Sequence, residues 1–249
     1  MATMPARAHT FRAAFESIVG QVDRLYIYLD GHTEVPEFVR ADPRAIPILS
    51  RDEPGLQANG KFLGLGRETG SFLYASVDDD FLYPPDFVAQ LQDGLEREGG
   101  RAIVGYHGSI LERPLLRYNQ NRKVIHYGHA VLAKCEVDVL GTGAIMFSSK
   151  ALQFDVRNWP WVNMVDLSLA LAAAKAGLPL ICLSRKKGYI GVLDQFQPDS
   201  IFVALRRDDS SQTDLARQLL AVRAQASDVR HPAEQSGSHS LPKDARSGT

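Results

Sequence analysis

Three consecutive aspartates, Asp78-Asp79-Asp80, follow the apolar run Phe72-Leu73-Tyr74-Ala75 and precede the pair Pro84-Pro85. Like charges this close repel one another, and burial would deepen the penalty. A hard divalent cation such as Mn2+ or Mg2+ relieves it, so the trio reads as a source of oxygen ligands. Ligands of open α/β sheets collect outside the carboxyl ends of the strands, where these residues would stand. The plainer alternative is one helix-capping aspartate with the others solvated. Capping needs only one such residue, and Asp86 stands nearer the following helix.

Other side chains invite weaker readings. His107 follows a strand directly and precedes Gly108, which directs it to the same sheet edge. It is a candidate metal ligand alongside Asp78 and Asp80, with a packed histidine as the common alternative. Trp159 and Trp161 flank Pro160 and read equally as platforms for sugar rings or as core aromatics.

The elements that must hold these residues alternate between helix and strand. Phe11, Phe15, Ile18 and Val22 recur at helical spacing, with Thr10 as cap. Arg24 to Leu29 reads as a strand ending at Asp30-Gly31, and Ala45 to Leu49 as an edge strand because of Pro47. Phe72 to Val77 reads as a central strand, followed by a helix around Leu91 that stops at Gly99-Gly100. Strand character returns at Arg101 to Gly105, Val137 to Phe147 and Leu180 to Leu183, with a helix around Leu167 to Ala174. Residues 106–136 are polar and irregular, the pattern of a mobile cover. A late helix carries Leu215, Leu219 and Val222, with Thr213 or Asp214 as cap. Repeated strand-helix-strand units predict an α/β fold with a mostly parallel sheet flanked by helices. Only Met1 to Ala6 precede the first helix, so the first strand is expected to be short or missing.

A chain of 249 residues with net charge −1 has room for one sizeable α/β core. No basic stripe alternates with aromatics, which argues against nucleic acid as partner. Cys135 and Cys182 lie far apart without metal-binding spacing, which predicts reduced, packed thiols in a cytoplasmic protein. No run approaches the roughly 20 apolar residues of a membrane helix, so no integral membrane segment is expected.

Taken in order, these segments resemble the GT-A glycosyltransferases, close to the inverting family 2, over about Arg7 to Tyr189. Asp78-Asp79-Asp80 looks like that family's DXD motif, which holds Mn2+ or Mg2+ against the donor diphosphate. Gly141-Thr142-Gly143-Ala144 resembles the strand flooring the acceptor site. Val165-Asp166 resembles the element whose aspartate is the catalytic base, although Val165 replaces the usual glutamate. Arg185-Lys186-Lys187-Gly188-Tyr189 resembles a basic element closing on the diphosphate.

The resemblance implies a metal-dependent transfer of sugar from a nucleoside diphosphate donor, most simply a UDP-sugar, to a glycan or polysaccharide acceptor. Asp166 would be the base, favoured in ionised form at a helix start. Asp78 or Asp79 would order the ribose or the metal's waters, and Asp80 would coordinate the metal. Asp30, Asp52 and Lys61 would meet the nucleoside or diphosphate, as would Arg185 and Lys186. Turn or solvent roles explain Asp30, Asp52 and Lys61 about as well.

The expected organisation is a GT-A (Rossmann-like) domain over 1–207, a helix over 208–226 and a disordered tail over 227–249. An acidic strand end also suits a Mg2+-dependent phosphoryl or nucleotidyl transferase, though no GxxxxGK[ST] loop is present. The abbreviated first strand suits a non-catalytic sugar-binding subunit.

Overall fold

The structure, a computed structural model, describes residues 1–193 and 208–230, the last five by backbone alone. The first strand is present but short: β1 (Ala2–Thr3) pairs in parallel with β2 (Leu25–Leu29). Between them α1 (Ala8–Ile18) buries Phe11, Phe15 and Ile18 along one stripe. Thr10 is not the cap expected of it; it lies inside the helix, its hydroxyl donating to the Arg7 carbonyl. The short α2 (Glu37–Ala41) leads into β3 (Ala45–Leu49), an edge strand as Pro47 requires.

A 3-10 helix, Gln57–Gly66, then lies against the tyrosines of β2. A Cβ on Gly60 would fall 2.2 Å from the Tyr28 ring, and one on Gly64 2.4 Å from the Tyr26 ring. Only glycine permits that approach, and it is what fixes the position of Lys61.

β4 (Leu73–Val77), β5 (Phe81–Leu82) and α3 (Phe87–Arg97) follow, the helix ending at Gly99 and Gly100 with φ of 63° and 71°. Next come β6 (Ile103–Gly105), β7 (Gly108–Leu111), β8 (Arg122–Ile125), β9 (Cys135–Val137), β10 (Val139–Leu140) and β11 (Ala144–Ser148). α4 (Val165–Lys175), β12 (Leu180–Cys182), β13 (Gly191–Val192) and α5 (Ser210–Arg230) complete the described elements.

The fold is α/β, but the expectation of a mostly parallel sheet is corrected. The largest sheet has the order β4-β11-β6-β12-β9, with β4, β6 and β12 running one way and β11 and β9 the other. No helix intervenes between β6 and β11, and a parallel return would need such a crossover. β11 instead inserts antiparallel between β4 and β6, leaving β4 at the edge of this sheet rather than at its centre. Residues 106–136 are also more ordered than expected, since β7 pairs with both β8 and β10.

Both faces of the sheets are covered, which explains the near-continuous apolar strands. Ile27, Leu29, Val104 and Met146 meet α1 and α3 on one side. Tyr28, Ile103, Ile145 and Phe147 meet α4, α5 and the 3-10 helix on the other. Cys135 and Cys182, distant in sequence, are register partners across β9 and β12 and remain free thiols.

α5 begins earlier than its expected caps: Thr213 and Asp214 lie within it, and the Asp208 carboxylate accepts from Ser210 N. It runs to Arg230, four residues past the expected boundary at 226. The remainder of the expected disordered tail, 231–249, lies outside the described residues, as does 194–207. No described helix is long and apolar enough to cross a membrane.

Candidate functional site

A cavity of about 630 Å³ opens at the C-terminal ends of β1, β2 and β4, bounded by the start of α4 and the loop before β11. Strand ends supply its carboxylates: Asp30 follows β2, and Asp78, Asp79 and Asp80 follow β4. Asp166 joins them from the second position of α4. The acidic turn, Lys61 and the helix-start aspartate therefore share one chamber.

Asp166 is held by the loop before β11. Thr142 donates to Asp166 Oδ1 twice, from its backbone N at 2.8 Å and its hydroxyl at 2.7 Å. One carboxylate oxygen is committed to this anchor, and the residue keeps an aspect toward the cavity.

Asp78 forms an ion pair with buried Lys61. Burial alone would lower the Lys61 pKa, but Asp78, then Asp166 and Asp79, outweigh it and hold the ammonium charged. Burial would raise the Asp78 pKa, but Lys61 outweighs it and keeps the carboxyl below its ordinary range. The Tyr83 hydroxyl fixes the turn from outside, accepting from Asp78 N at 2.7 Å and donating to the Gly143 carbonyl at 2.7 Å.

Asp79 and Asp80 have less compensation. Burial pushes the Asp79 carboxyl up. Burial, then Asp78 and Asp79, raise Asp80 to about 7, opposed by Arg7 at 3.7 Å. The trio therefore has basic partners, Lys61 and Arg7, that its local sequence does not show. Among the described residues no three His, Cys, Asp or Glu side chains converge to hold an ion unaided. Mg2+-like ions are commonly held by one or two carboxylates plus water and substrate phosphate, a demand Asp79 and Asp80 can meet. The donor set fits such an ion in that partial form.

Further lining comes from the segment read as a mobile cover, with Tyr118, Asn119 and Arg122 before and at the start of β8, and from Gln212 on α5, a helix with no assigned role. Buried Asp209 anchors this wall, its carboxylate accepting from Arg117 Nε at 3.0 Å, Arg117 Nη2 at 2.9 Å and Asn119 N at 3.0 Å. Tyr118 N donates to the Thr213 hydroxyl at 3.0 Å. The segment read as a mobile cover is thus tied to the helix behind it.

Other sequence candidates stand elsewhere. His107 lies beneath the floor of the cavity, not on its wall: a Cβ on Gly141 would fall 1.8 Å from His107 Nε2. Burial lowers its pKa, and its ring packs against Phe81 and Tyr127. It therefore does not enter the cavity that the aspartates line, and the expectation that it serves as a metal ligand is corrected. Arg185 is turned inward, donating to the His126 and Tyr127 carbonyls at 2.6 and 3.2 Å. Lys186 and Asp52 are exposed and outside the cavity lining. Trp159, partly buried, stacks on Phe154 at 4.8 Å and meets Phe62 edge-on, outside the cavity lining.

Sequence reasoning missed Arg7 and the wall of Tyr118, Arg122 and Gln212. Arg7 precedes α1 without any local acidic partner to suggest its contact. The wall residues stand in text that looks like loop, and Gln212 lies about 90 residues further on. No family model matches the chain, and no curated protein matches it.

Proposed function

We propose that this protein is a metal-dependent inverting glycosyltransferase of the GT-A type, moving a sugar from a UDP-linked donor to a glycan acceptor. The observation that carries this reading is the shared chamber, which sets the anchored carboxylate of Asp166 within one cavity of Asp78, Asp79 and Asp80. Transfer at an anomeric carbon needs these two functions together, a deprotonated acceptor hydroxyl and a stabilised leaving diphosphate.

In this scheme Asp166 takes the acceptor hydroxyl's proton on the oxygen that Thr142 leaves uncommitted. The acceptor oxygen bonds to the anomeric carbon from the face opposite the diphosphate as the carbon–phosphate oxygen bond breaks, and UDP departs. Asp79 and Asp80 would hold the cation, which supplies Lewis-acid stabilisation of the leaving group when bound. Lys61 keeps Asp78 ionised and Arg7 offsets charge at Asp80. Asp30, at the end of β2, lines the same cavity and in this scheme would meet the nucleoside.

The test combines binding with turnover. Thermal shifts with UDP, in the presence and absence of Mn2+, are followed by UDP release from a panel of UDP-hexoses with mixed oligosaccharide acceptors. Ligand at ~100 times its dissociation constant adds about 2.7 kcal/mol of stability, which is readily seen. Metal-dependent stabilisation with acceptor-dependent UDP release is the expected result. Stabilisation without release would identify a binding subunit. Absence of both would overturn the reading.

A further inference from the structure

The wall of the cavity that holds Asp166 also carries a cation that the scheme above does not use. Arg122 lines the chamber, and its guanidinium lies 4.2 Å from the centre of the Tyr118 ring. Of the other two cations of the lining, Lys61 is bonded to Asp78, and Arg7 faces Asp80 at 3.7 Å with its Nη1 making no hydrogen bond. Arg122 forms no ion pair among the described residues. Its Nε is buried without a hydrogen-bond partner, Nη2 makes a long contact of 3.4 Å with Asn119 Oδ1, and the guanidinium also meets the Tyr118 hydroxyl. A buried donor left unsatisfied costs stability, and a guanidinium fork matches a carboxylate or phosphate better than any neutral group.

The position of this cation indicates which substrate it would meet. Tyr118, on which it stacks, donates its backbone N–H to the Thr213 hydroxyl on α5, and α5 packs along α4, whose second residue is Asp166, the base of the proposed reaction. Arg122 thus belongs to the part of the cavity lining tied to α5, the helix that packs on the one carrying Asp166. Stacking on Tyr118 and anchorage of the 117–121 segment by Asp209 hold the fork in place before any ligand arrives.

Charge selects between anions. The lining holds five carboxylates, Asp30, Asp78, Asp79, Asp80 and Asp166, against three cations. A monoanion meets less repulsion there than a phosphate dianion.

We propose that Arg122, set on Tyr118, binds a carboxylate on the acceptor, so that the acceptor is an acidic glycan presenting a uronic acid. This rests on the transferase reading for the word acceptor, but the anion site itself is testable without turnover.

The probes are methyl glucuronide and methyl glucoside, which differ only in a carboxylate against a hydroxymethyl group, with glucose 6-phosphate as a third arm. Binding is read by saturation-transfer NMR at millimolar ligand, on the full chain, with UDP affinity measured separately by calorimetry with Mn2+. The wild type is expected to bind the glucuronide in preference to the other two. Arg122→Gln should weaken glucuronide binding about tenfold or more, the scale of a charge-assisted pair, and leave the glucoside and UDP unaffected. Arg122→Lys keeps the charge without the fork and should recover only part of the loss. Thermal melts confirm that both variants fold.

The proposal is overturned by equal binding of the two glycosides, by no binding of either, or by a preference that survives Arg122→Gln. A stronger response to glucose 6-phosphate overturns the carboxylate, and loss of UDP affinity in Arg122→Gln would move the residue to the donor side. If UDP fails to bind while the glucuronide preference depends on Arg122, the transferase reading falls and the anion site stands.

Discussion

A Cβ on Gly143 would lie 2.1 Å from Asp78 Oδ2, so the turn before β11 meets the acidic turn with no space for a side chain between them. The Tyr83 hydroxyl bridges the same two segments through Asp78 N and the Gly143 carbonyl. The adjacent residue, Thr142, holds Asp166. Acidic turn, floor and helix-start carboxylate therefore form one connected unit, and a shift of the floor is transmitted to both ends of the site.

Gly143→Ala tests that connection. The new methyl must displace Asp78, which cannot turn away without loosening its pair with buried Lys61. Overpacking of this kind typically costs about 1–3 kcal/mol. The expected outcome in urea denaturation is a loss of that size, together with weakened UDP binding in the presence of Mn2+. Wild-type stability and binding would show that Asp78 is not pinned by the floor.

Asp80→Asn should stabilise the ligand-free protein at neutral pH while impairing metal-linked binding. Burial, then Asp78 and Asp79, raise the folded Asp80 carboxyl to about 7, so the folded state holds a proton that the unfolded chain has released. Between the ordinary value of 3.8 and about 7, rising pH therefore removes stability through this group. The stability difference, variant minus wild type, should grow as pH rises across that window and level off above it. Melting curves from pH 4.5 to 8 measure it, and a pH-independent difference would refute the assignment.

Much of this arrangement is legible in sequence, and the rest is hidden for identifiable reasons. The strands around Tyr28, Tyr74 and Ile103 announce themselves by composition, and Asp78 to Asp80 and Asp166 by their places at a strand end and a helix start. The direction of β11 is less accessible, because it follows from the absence of a crossover helix after β6. Composition suggests a loop there and does not say which way the chain returns. Contacts such as Arg7 with Asp80, or Asp209 with Arg117 and Asn119, join residues about 70 to 90 positions apart, beyond the reach of any periodicity. His107 misleads for the converse reason. Its sequence position at a strand end is right, but Gly141 lets its ring pass under the floor instead of into the cavity.

Asp209→Ala addresses the wall that sequence reads as mobile. The substitution removes three hydrogen bonds from a buried carboxylate, two of them from Arg117, whose side chain is 51% exposed and can rehydrate. The expected cost is about 2–4 kcal/mol, below the loss of a fully buried pair. Limited proteolysis should cut between Arg117 and Lys123 readily in the variant and slowly in the wild type. Equal cutting in both would mean that Asp209 does not anchor the segment.

Asp166 and Thr142 provide the sharpest separation of chemistry from binding. Asp166→Asn keeps the size of the side chain but cannot accept the acceptor's proton, and loss of a general base typically costs 10²–10⁴-fold in rate. Donor affinity, measured by calorimetry with Mn2+, should change little, because in the proposed scheme this carboxylate acts on the other substrate. Thr142→Val preserves shape and the backbone donor but deletes the hydroxyl contact at 2.7 Å, so it loosens Asp166 without removing it. Its expected effect is roughly a tenfold fall in kcat with KM for the donor nearly constant, as a misplaced base would give. The double variant decides whether Thr142 acts through Asp166. If it does, adding Thr142→Val to Asp166→Asn lowers the residual rate by less than twofold or so, a strong departure from additivity. Additive losses would make Thr142 an independent contributor to the floor, and near-normal transfer by Asp166→Asn would remove the base from the mechanism altogether.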